Sequence, residues 1–331
     1  MAEKVKRKLF EEFPPVETQQ WEEKIRKDLK GADYDKKLIW KTLEGFKVKP
    51  YYREEDLEGI EHLGTYPANF PFVRSNKKND NTWEIRQDIE VTDVEAANKK
   101  ALDILMKGVT SIGFITENAK IESQEDFNKL LKGIYIDSAP VNFVSGHYSP
   151  DFLTMLANYV SNNRFDKKSI RGSITFDPIR HLNMNGRFFY DDETRSFERV
   201  KKVMEFGKEH LPNFRVLTVN GHYYHNAGAT IVQEIAFSLA AGNEYLARLT
   251  ELDLPVDDIT PRMQFAFSTG SNYFLEIAKI RAARLLWAKI VEQYNPKNQE
   301  AAKTYIHSVS SLWNKTWYDP YVNMLRTTIE S

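Results

Sequence analysis

Two histidines, His222 and His225, stand three residues apart just after a short apolar segment, residues 216–219. Neutral imidazoles are common metal ligands, and a pair at this spacing can bind a divalent ion when further ligands are present. No third or fourth ligand follows at an expected spacing, so the sequence predicts no metal site. Each histidine can instead cap a helix, form a local hydrogen bond or line a polar pocket.

Three further polar residues lie beside predicted strands. Asp177 and Arg180 follow one strand and can form an acid–base pair or a structural ion pair that organises the next loop, and we favour the structural pair. Arg262 precedes another strand, where a guanidinium can hold an anion or form a salt bridge at the rim. The residue type does not separate these two roles.

Short strand-like segments alternate with helical patterns from residue 83 onward. The helical patterns carry their own signals, such as a capping box at Thr92 and Glu95 and a terminating Gly108. Such alternation is typical of parallel βα units. Seven segments are rich in β-branched or aromatic residues: 84–90, 111–116, 141–144, 169–176, 216–219, 264–268 and 304–308.

Seven strands, each followed by a helix, predict an α/β fold of the TIM (β/α)8-barrel type that lacks its eighth strand. An unclosed parallel barrel leaves two edges unpaired. We therefore expect either a fragment of a longer chain or a segment that covers the gap, and we favour the fragment. A seven-stranded open sheet is the alternative.

Residues 1–80 predict an N-terminal arm, and residues 81–331 the βα domain. The arm contains a helix after Thr18, whose Trp21, Ile25 and Leu29 form one apolar stripe. A β-hairpin is predicted around Glu44 and the following glycine, and a connecting loop over residues 64–80. One apolar stripe on a short helix requires another surface to cover it.

The composition excludes several classes of protein. The 46 basic and 47 acidic side chains nearly cancel, so no global field attracts nucleic acid or an anionic membrane. With no cysteine, disulfides, thiolate nucleophiles and cysteine-ligated metals are excluded. The first twelve residues lack the apolar core of a signal peptide, and no run approaches about 18 apolar residues. We expect a soluble, cytoplasmic protein.

Four segments carry recognisable patterns in a fixed order. They read W-E-I-R-Q at 83–87, G-H-Y-Y-H-N-A-G-A at 221–229, T-P-R-M-Q-F at 260–265, and a long helical run at 272–289. The first three resemble W-T-I-R-Q, G-Y-H-x-x-E-A-G-A and A-P-R-L-S-F of the adenosylcobalamin-dependent methylmalonyl-CoA mutase family, and the run resembles the helix that follows there. The likeness extends over nearly the whole chain.

The resemblance implies a barrel that admits an acyl-CoA along its axis, with cobalamin over the carboxyl ends of the strands. In the family a separate C-terminal domain with a D-x-H-x-x-G signature holds that cofactor, and this sequence contains no such signature. Adenosylcobalamin is therefore implied for the holoenzyme, and none is expected to bind this fragment.

The resemblance also implies that the family's catalytic positions have changed. The first-strand tyrosine is Asp88, the fourth-strand glutamine is Thr175, and the carboxylate-recognising arginine aligns with Asn185. The fifth-strand histidine is Tyr223, and the glutamine of the seventh-strand H-S-Q is Val309. Because each change removes a specific donor, an active mutase is disfavoured.

Five polar residues remain as candidates at the strand ends. Arg187 lies two residues from the aligned arginine position, and His307 retains the histidine of H-S-Q. His222, His225 and Arg262 complete the set. Four phenylalanines lie in predicted strands, and we expect some of their rings to point inward and fill the channel: Phe143, Phe176, Phe265 and Phe267.

Taken with the arm, this pattern resembles the small (β) subunits of heterodimeric members of the family. The resemblance implies a non-catalytic partner of the large (α) subunit, with the N-terminal arm embracing that partner. The alternative is an active adenosylcobalamin-dependent acyl-CoA mutase of altered specificity that uses Arg187, His222, His225 and His307. A third class is a stand-alone barrel that binds a small anion through Arg262 and the histidines.

Overall fold

The computed structural model describes residues 9–10, 12–117, 119 and 121–330. Residues 1–8 and 11 of the predicted arm lie outside these described residues. The chain forms two compact units, residues 1–61 and 62–331, so the connecting residues 64–80 belong to the second unit. The assignment of residues 1–80 to an arm and of residues 81–331 to a βα domain stays a prediction.

The first unit contains two helices and a hairpin. Helix α1 (Thr18–Asp28) begins with a capping box between Glu17 and Gln20, and α2 (Tyr34–Leu38) is capped by Asp33. Strands β1 (Trp40–Lys41) and β2 (Lys47–Val48) pair antiparallel, which confirms the predicted hairpin. No apolar side chain among the described residues of this unit is buried.

The second unit holds two parallel sheets, and each predicted segment contains a strand or overlaps one. Every strand pairs with its neighbour in the chain order β3-β4-β5-β6-β7 and β8-β9-β10. The strands are β3 (Arg86–Glu90), β4 (Ser111–Ile115), β5 (Val141–Val144), β6 (Gly172–Ile174), β7 (Phe214–Arg215), β8 (Leu217–Asn220), β9 (Met263–Thr269) and β10 (Ile306–Ser310).

Helices connect these strands, and polar caps fix several of their starts. Asp93, Ser123, Asp177 and Thr230 each accept a hydrogen bond from a backbone N–H of the helix they precede. The helices are α3 (Val94–Leu105), α4 (Gln124–Leu131), α5 (Ser149–Asn162), α6 (Pro178–Asn185), α7 (Glu193–His210), α8 (His222–Asn226), α9 (Ile231–Glu251), α10 (Val256–Ile259), α11 (Tyr273–Glu292) and α12 (Pro320–Glu330).

The two sheets follow one another along the chain. Only Val216 separates β7, which pairs with β6, from β8, which pairs with β9. Among the described residues β3 and β10 form no strand pair, so a closed barrel stays a prediction. Side chains nevertheless join these two edges, because Tyr305 donates a hydrogen bond to Glu84 over 3.0 Å. The observed architecture is a mixed α/β fold with parallel strands.

The phenylalanines of the strands pack against the helices, and the expectation that some of them fill a channel is wrong. Phe143 lies 5.4 Å from the ring of Phe127 on α4, and Phe265 lies 4.8 Å from Trp287 on α11. Phe267 stacks on Phe265, and Phe176 stacks on the Phe189 ring. Periodicity assigns alternate residues to opposite faces, but it does not say which face meets the helices.

Small polar side chains occupy the inner face, which is the face turned away from the helices. Asn142 donates to Ser111 over 2.9 Å and accepts from Ser173 over 2.7 Å, while Gln264 donates to Thr218 over 2.9 Å. None of these five residues is more than 7% exposed. The inner face is therefore closed to solvent at these positions by polar groups that bind one another.

Candidate functional site

Arg86 and Asp88 on β3 form the centre of a polar cluster on the inner face. Arg86 donates from Nε to Asp88 Oδ1 over 2.6 Å and from Nη2 to Oδ2 over 3.2 Å. A Cβ at Gly113 on the neighbouring strand would meet the Asp88 carboxylate, so a larger residue there would require the Arg86–Asp88 pair to shift. The Asp88 carboxylate, at the position that the resemblance aligns with a tyrosine, is held by an arginine two residues away.

Arg180 and Tyr223 form a second pair at the carboxyl ends of the strands. Arg180 on α6 donates to the Tyr223 hydroxyl over 2.8 Å and to Glu117 over 3.1 Å. Its guanidinium also lies 4.2 Å from the centre of the Tyr223 ring. Burial raises the pKa of Tyr223. Tyr223, which the resemblance aligns with a histidine, is thus a neutral acceptor bound to a cation.

His222 and His307 lie half-buried beside these cations and are neutral. Burial, and next to it the charge of Arg180, lowers the pKa of His222 to about 4. Burial together with Arg86 and His222 lowers the pKa of His307 well below its usual value, and Arg86 Nη1 lies 3.4 Å from His307 Nδ1. His222 Nδ1 is buried without a hydrogen-bond partner. Neither imidazole is charged at neutral pH.

Asp177 is structural. Its carboxylate caps α6 by accepting from Arg180 N, and it also accepts from the Tyr245 hydroxyl over 2.6 Å and from Asn220 N and Nδ2. The Arg180 side chain turns to Glu117 and makes no ion pair with Asp177. The prediction of an ion pair between Asp177 and Arg180 is therefore wrong. The Asp177 carboxylate accepts hydrogen bonds from the backbone at the start of α6 and from three other donors instead.

His225 faces a different, fully buried ion network. Lys279 on α11 lies 2.9 Å from Glu234 and 2.6 Å from Glu276, and both carboxylates are otherwise bound by backbone N–H groups of β9 and its loop. His225 Nε2 lies 2.8 Å from Ser311 Oγ, and burial lowers its pKa. His222 and His225 therefore belong to separate surroundings despite their spacing.

The remaining predicted residues are scattered. Thr175 lies directly after β6 and donates to the Phe143 carbonyl, and Val309 lies on β10. Asn185 is the last residue of α6 and binds the His181 carbonyl, and Arg187 is an exposed partner of Asp191 beyond that helix. Arg262 donates to the Asp258 carbonyl at the opposite, amino-terminal end of β9.

The structure thus brings together Asp88, Tyr223, His222 and His307, and it leaves the other candidates elsewhere. The sequence analysis missed Arg86 and Glu117 as members of this cluster. A signal existed for Arg86, which lies in the I-R-Q pattern of the first strand. Nothing in the sequence marks Glu117, because its partner Arg180 lies 63 residues away.

The charged groups of the cluster are already paired with one another, whereas His222 Nδ1 has no hydrogen-bond partner. Each arginine holds a carboxylate, and the imidazoles are neutral. Within the described ranges no three histidine, aspartate or glutamate side chains converge as metal ligands. Of the helices in those ranges, none combines the length and apolar character needed to cross a bilayer.

Comparisons with known proteins agree with the motifs. The sequence model of the methylmalonyl-CoA mutase family matches residues 41–120 and 116–331. The chain is 42% identical over 331 residues to the methylmalonyl-CoA mutase small subunit of Porphyromonas gingivalis, covering 99% of this chain and 52% of that protein.

Two further relatives are more distant. Identity is 32% over 339 residues to the methylmalonyl-CoA mutase of Cereibacter sphaeroides, covering 94% of this chain and 47% of that protein. Identity to the large subunit from P. gingivalis is 30% over 316 residues, covering 88% of this chain and 44% of that protein. The chain spans about half the length of the curated relatives it matches. With a family match over most of its length, this chain belongs to the methylmalonyl-CoA mutase family.

Proposed function

We propose that this chain is a non-catalytic partner subunit of an adenosylcobalamin-dependent methylmalonyl-CoA mutase and that it binds a catalytic large subunit. One observation carries the proposal: two side chains aligned with the family's catalytic residues, Asp88 and Tyr223, are bound by arginines of the same chain. Arg86 holds Asp88, and Arg180 holds Tyr223 and Glu117. Groups engaged in this way are not free to bind an acyl thioester, and releasing one of them leaves a charge unpaired.

The inner face supports the same proposal. An acyl chain that passed along this face would have to displace Arg86 from Asp88 and separate the bonded pairs around Asn142. Each displaced polar group that finds no new partner costs about 1–3 kcal/mol. A substrate therefore meets several such costs before it reaches the strand ends.

The first unit supports a role in pairing. Its described residues bury no apolar side chain, and Trp21 and Leu43 are 48% and 92% exposed. A segment of this size without a core cannot offset the entropy of its own ordering. A surface supplied by another chain would cover these groups. The names of the P. gingivalis relatives, a small and a large subunit of one enzyme, agree with such a pairing.

We also propose the finer architecture, a (β/α)8-type barrel whose eighth strand lies outside this sequence. The chain order of the parallel strands supports it, as does the approach of β3 to β10 through Arg86 and His307. Adenosylcobalamin is proposed for the holoenzyme and not for this part of it. Burial lowers the pKa values of His222, His225 and His307, so these imidazoles are neutral at the strand ends.

One observation favours the alternative, an acyl-CoA mutase of altered specificity. The phenylalanines do not fill the inner face, which is lined instead by small side chains such as Ser111 and Ser173. The resemblance associates small hydroxyl side chains with passage of the acyl chain. Arg187 and His225, which that alternative would use, lie away from the cluster around Arg86.

Co-purification tests the pairing. A tagged large subunit expressed with this chain should retain it through gel filtration, and deletion of residues 1–35 should release it. A double substitution on α1 gives a more specific test. Trp21→Ser with Ile25→Ser removes the apolar stripe and should weaken pairing at least about tenfold, as expected for a buried aromatic anchor.

The matched control changes another face of the same helix. Gln19→Ser with Glu23→Ser removes an exposed hydrogen-bonded pair and should leave the complex intact. Equal retention of the wild type and the stripe variant would contradict a pairing role for the first unit. Isomerisation of methylmalonyl-CoA by this chain with adenosylcobalamin, without a large subunit, would contradict the non-catalytic role.

A further inference from the structure

A cavity of about 420 Å³ lies beside the carboxyl ends of β9 and β10, between α11 and α12. Three arginines line it: Arg281 and Arg284 from α11, and Arg74 from the residues that lead into the sheet. Ile277, Ile280 and Ile329 form an apolar wall of the same cavity. It lies apart from the cluster around Arg86, which contributes none of its lining.

The three arginines have no anionic partner in the described part of the chain. None of them forms an ion pair or a side-chain hydrogen bond there, and Arg284 Nε is buried without a partner. The two carboxylates of the lining are already engaged. Glu276 is held by Lys279 and the Gly270 N–H, and Glu330 by Lys315. The cavity therefore presents unneutralised positive charge.

This charge is costly to the folded chain. Burial, and next to it the charge of Arg281, lowers the pKa of Arg284. Two like charges on one helix three residues apart repel each other, and a buried guanidinium without a partner loses solvation that nothing replaces. An anion between the two arginines would remove both penalties at once.

A second cavity shows the contrast. It measures about 600 Å³ and lies among α6, α7, α8 and α9. Its carboxylates, Glu193 and Glu244, are both bound by Arg248 over 2.7 Å. Each carboxylate there has a partner within the fold, so the cavity gives no reason to expect an anionic ligand.

We propose that the cavity of Arg74, Arg281 and Arg284 binds a small, multiply charged organic phosphate. Guanidinium groups bind phosphate oxygens through paired hydrogen bonds, and three of them match a diphosphate better than a single carboxylate. The wall of Ile277, Ile280 and Ile329 accepts a less polar part of the same ligand. This site is independent of the pairing role proposed above.

Isothermal titration of the full chain with inorganic pyrophosphate, and separately with ADP, tests the proposal. One saturable site is expected for each probe. Arg284→Gln should weaken binding at least about tenfold, since a charge-assisted hydrogen bond is lost. Arg74→Gln should act in the same direction, and because Arg74 is exposed this variant does not endanger folding.

Arg164→Gln is the matched control, since it removes one positive charge from an exposed residue outside the cavity. It should leave both affinities within about twofold. Absence of saturable binding by the wild type would overturn the proposal. An equal loss in Arg164→Gln and Arg284→Gln would also overturn it, because the attraction would then be general. Weaker binding of ADP than of pyrophosphate would overturn the assignment of the apolar wall.

Discussion

The polar cluster around Arg86 and the first unit differ in how their side chains are satisfied. In the cluster, each charged group has a partner from the same chain, and the imidazoles are neutral and half-buried. In the first unit, no described apolar side chain is buried. Charged groups that are already paired within the chain gain little from a ligand. Exposed apolar side chains, in contrast, gain stability when a partner covers them. The difference supports the proposed function, in which the first unit and not the cluster around Arg86 supplies the interaction surface.

The largest expected effect comes from breaking the buried ion network. Lys279→Met leaves Glu234 and Glu276 buried without their cation, which should cost about 3–5 kcal/mol of unfolding free energy. Urea unfolding followed by circular dichroism measures it. Lys107→Met, at an exposed pair with Asp103, should change little. If Lys279→Met lowered the unfolding free energy by less than about 1 kcal/mol, solvent would have to reach the two carboxylates and replace the lysine.

The neutral histidines predict a loss of stability in acid. The folded chain holds His222 at a pKa of about 4, whereas the unfolded chain protonates it below 6.5. Unfolding therefore takes up protons between these values, and stability falls by about 1.4 kcal/mol per pH unit for each such histidine as the pH drops. Unfolding free energies at pH 7, 6 and 5 measure the slope.

Substitution assigns that slope to particular residues. His222→Gln and His307→Gln should each flatten the dependence, while His210→Gln, at an exposed position on α7, should leave it unchanged. If all three variants kept the wild-type slope, His222 and His307 would take up protons as readily in the folded chain as in the unfolded chain. The polar cluster would then not be satisfied as described.

The outward packing of the phenylalanines predicts a smaller effect at Gly242 on α9. A Cβ there would meet the rings of Phe265 and Trp287 at 2.8 Å, so overpacking should exceed the helix-propensity gain of alanine. Gly242→Ala should therefore destabilise the chain by about 1 kcal/mol. Gly64→Ala, where nothing lies within 4 Å, is the control. Stabilisation by Gly242→Ala would mean that these rings point elsewhere.

The smallest effect is expected in the first unit. Leu43 is 92% exposed, so Leu43→Ala should change the unfolding free energy by less than about 0.5 kcal/mol. Replacing the matched buried leucine, Leu131, with alanine should lower the unfolding free energy by about 2–5 kcal/mol. A loss above about 1 kcal/mol at Leu43 in the isolated chain would show that its surface is already covered.

The sequence predicted the order and type of the elements well, because each signal is local. The hairpin turn at Gly45, for example, depends on neighbouring residues only. The prediction that some phenylalanine rings point inward was wrong. Alternation assigns successive residues to opposite faces of a strand but does not say which face meets the helices. Charges such as Glu234 and Lys279, 45 residues apart, meet only in the folded chain.

Alignment to a family pattern does not say which aligned residues lie together. Asn185 lies at the end of α6 and Arg187 beyond it, away from the cluster around Arg86. Asp88 and Tyr223 do lie in the polar cluster. What no pattern could show is that their partners, Arg86 and Arg180, already hold them.

The most direct test of the self-paired cluster is binding of methylmalonyl pantetheine, a thioester without phosphate, to the full chain by isothermal titration calorimetry. We predict no saturable binding up to about 1 mM, because the thioester would have to displace Arg86 from Asp88. Stoichiometric binding that persists in Arg284→Gln and disappears in Arg86→Gln would contradict this prediction, since it would show an inner face open to substrate.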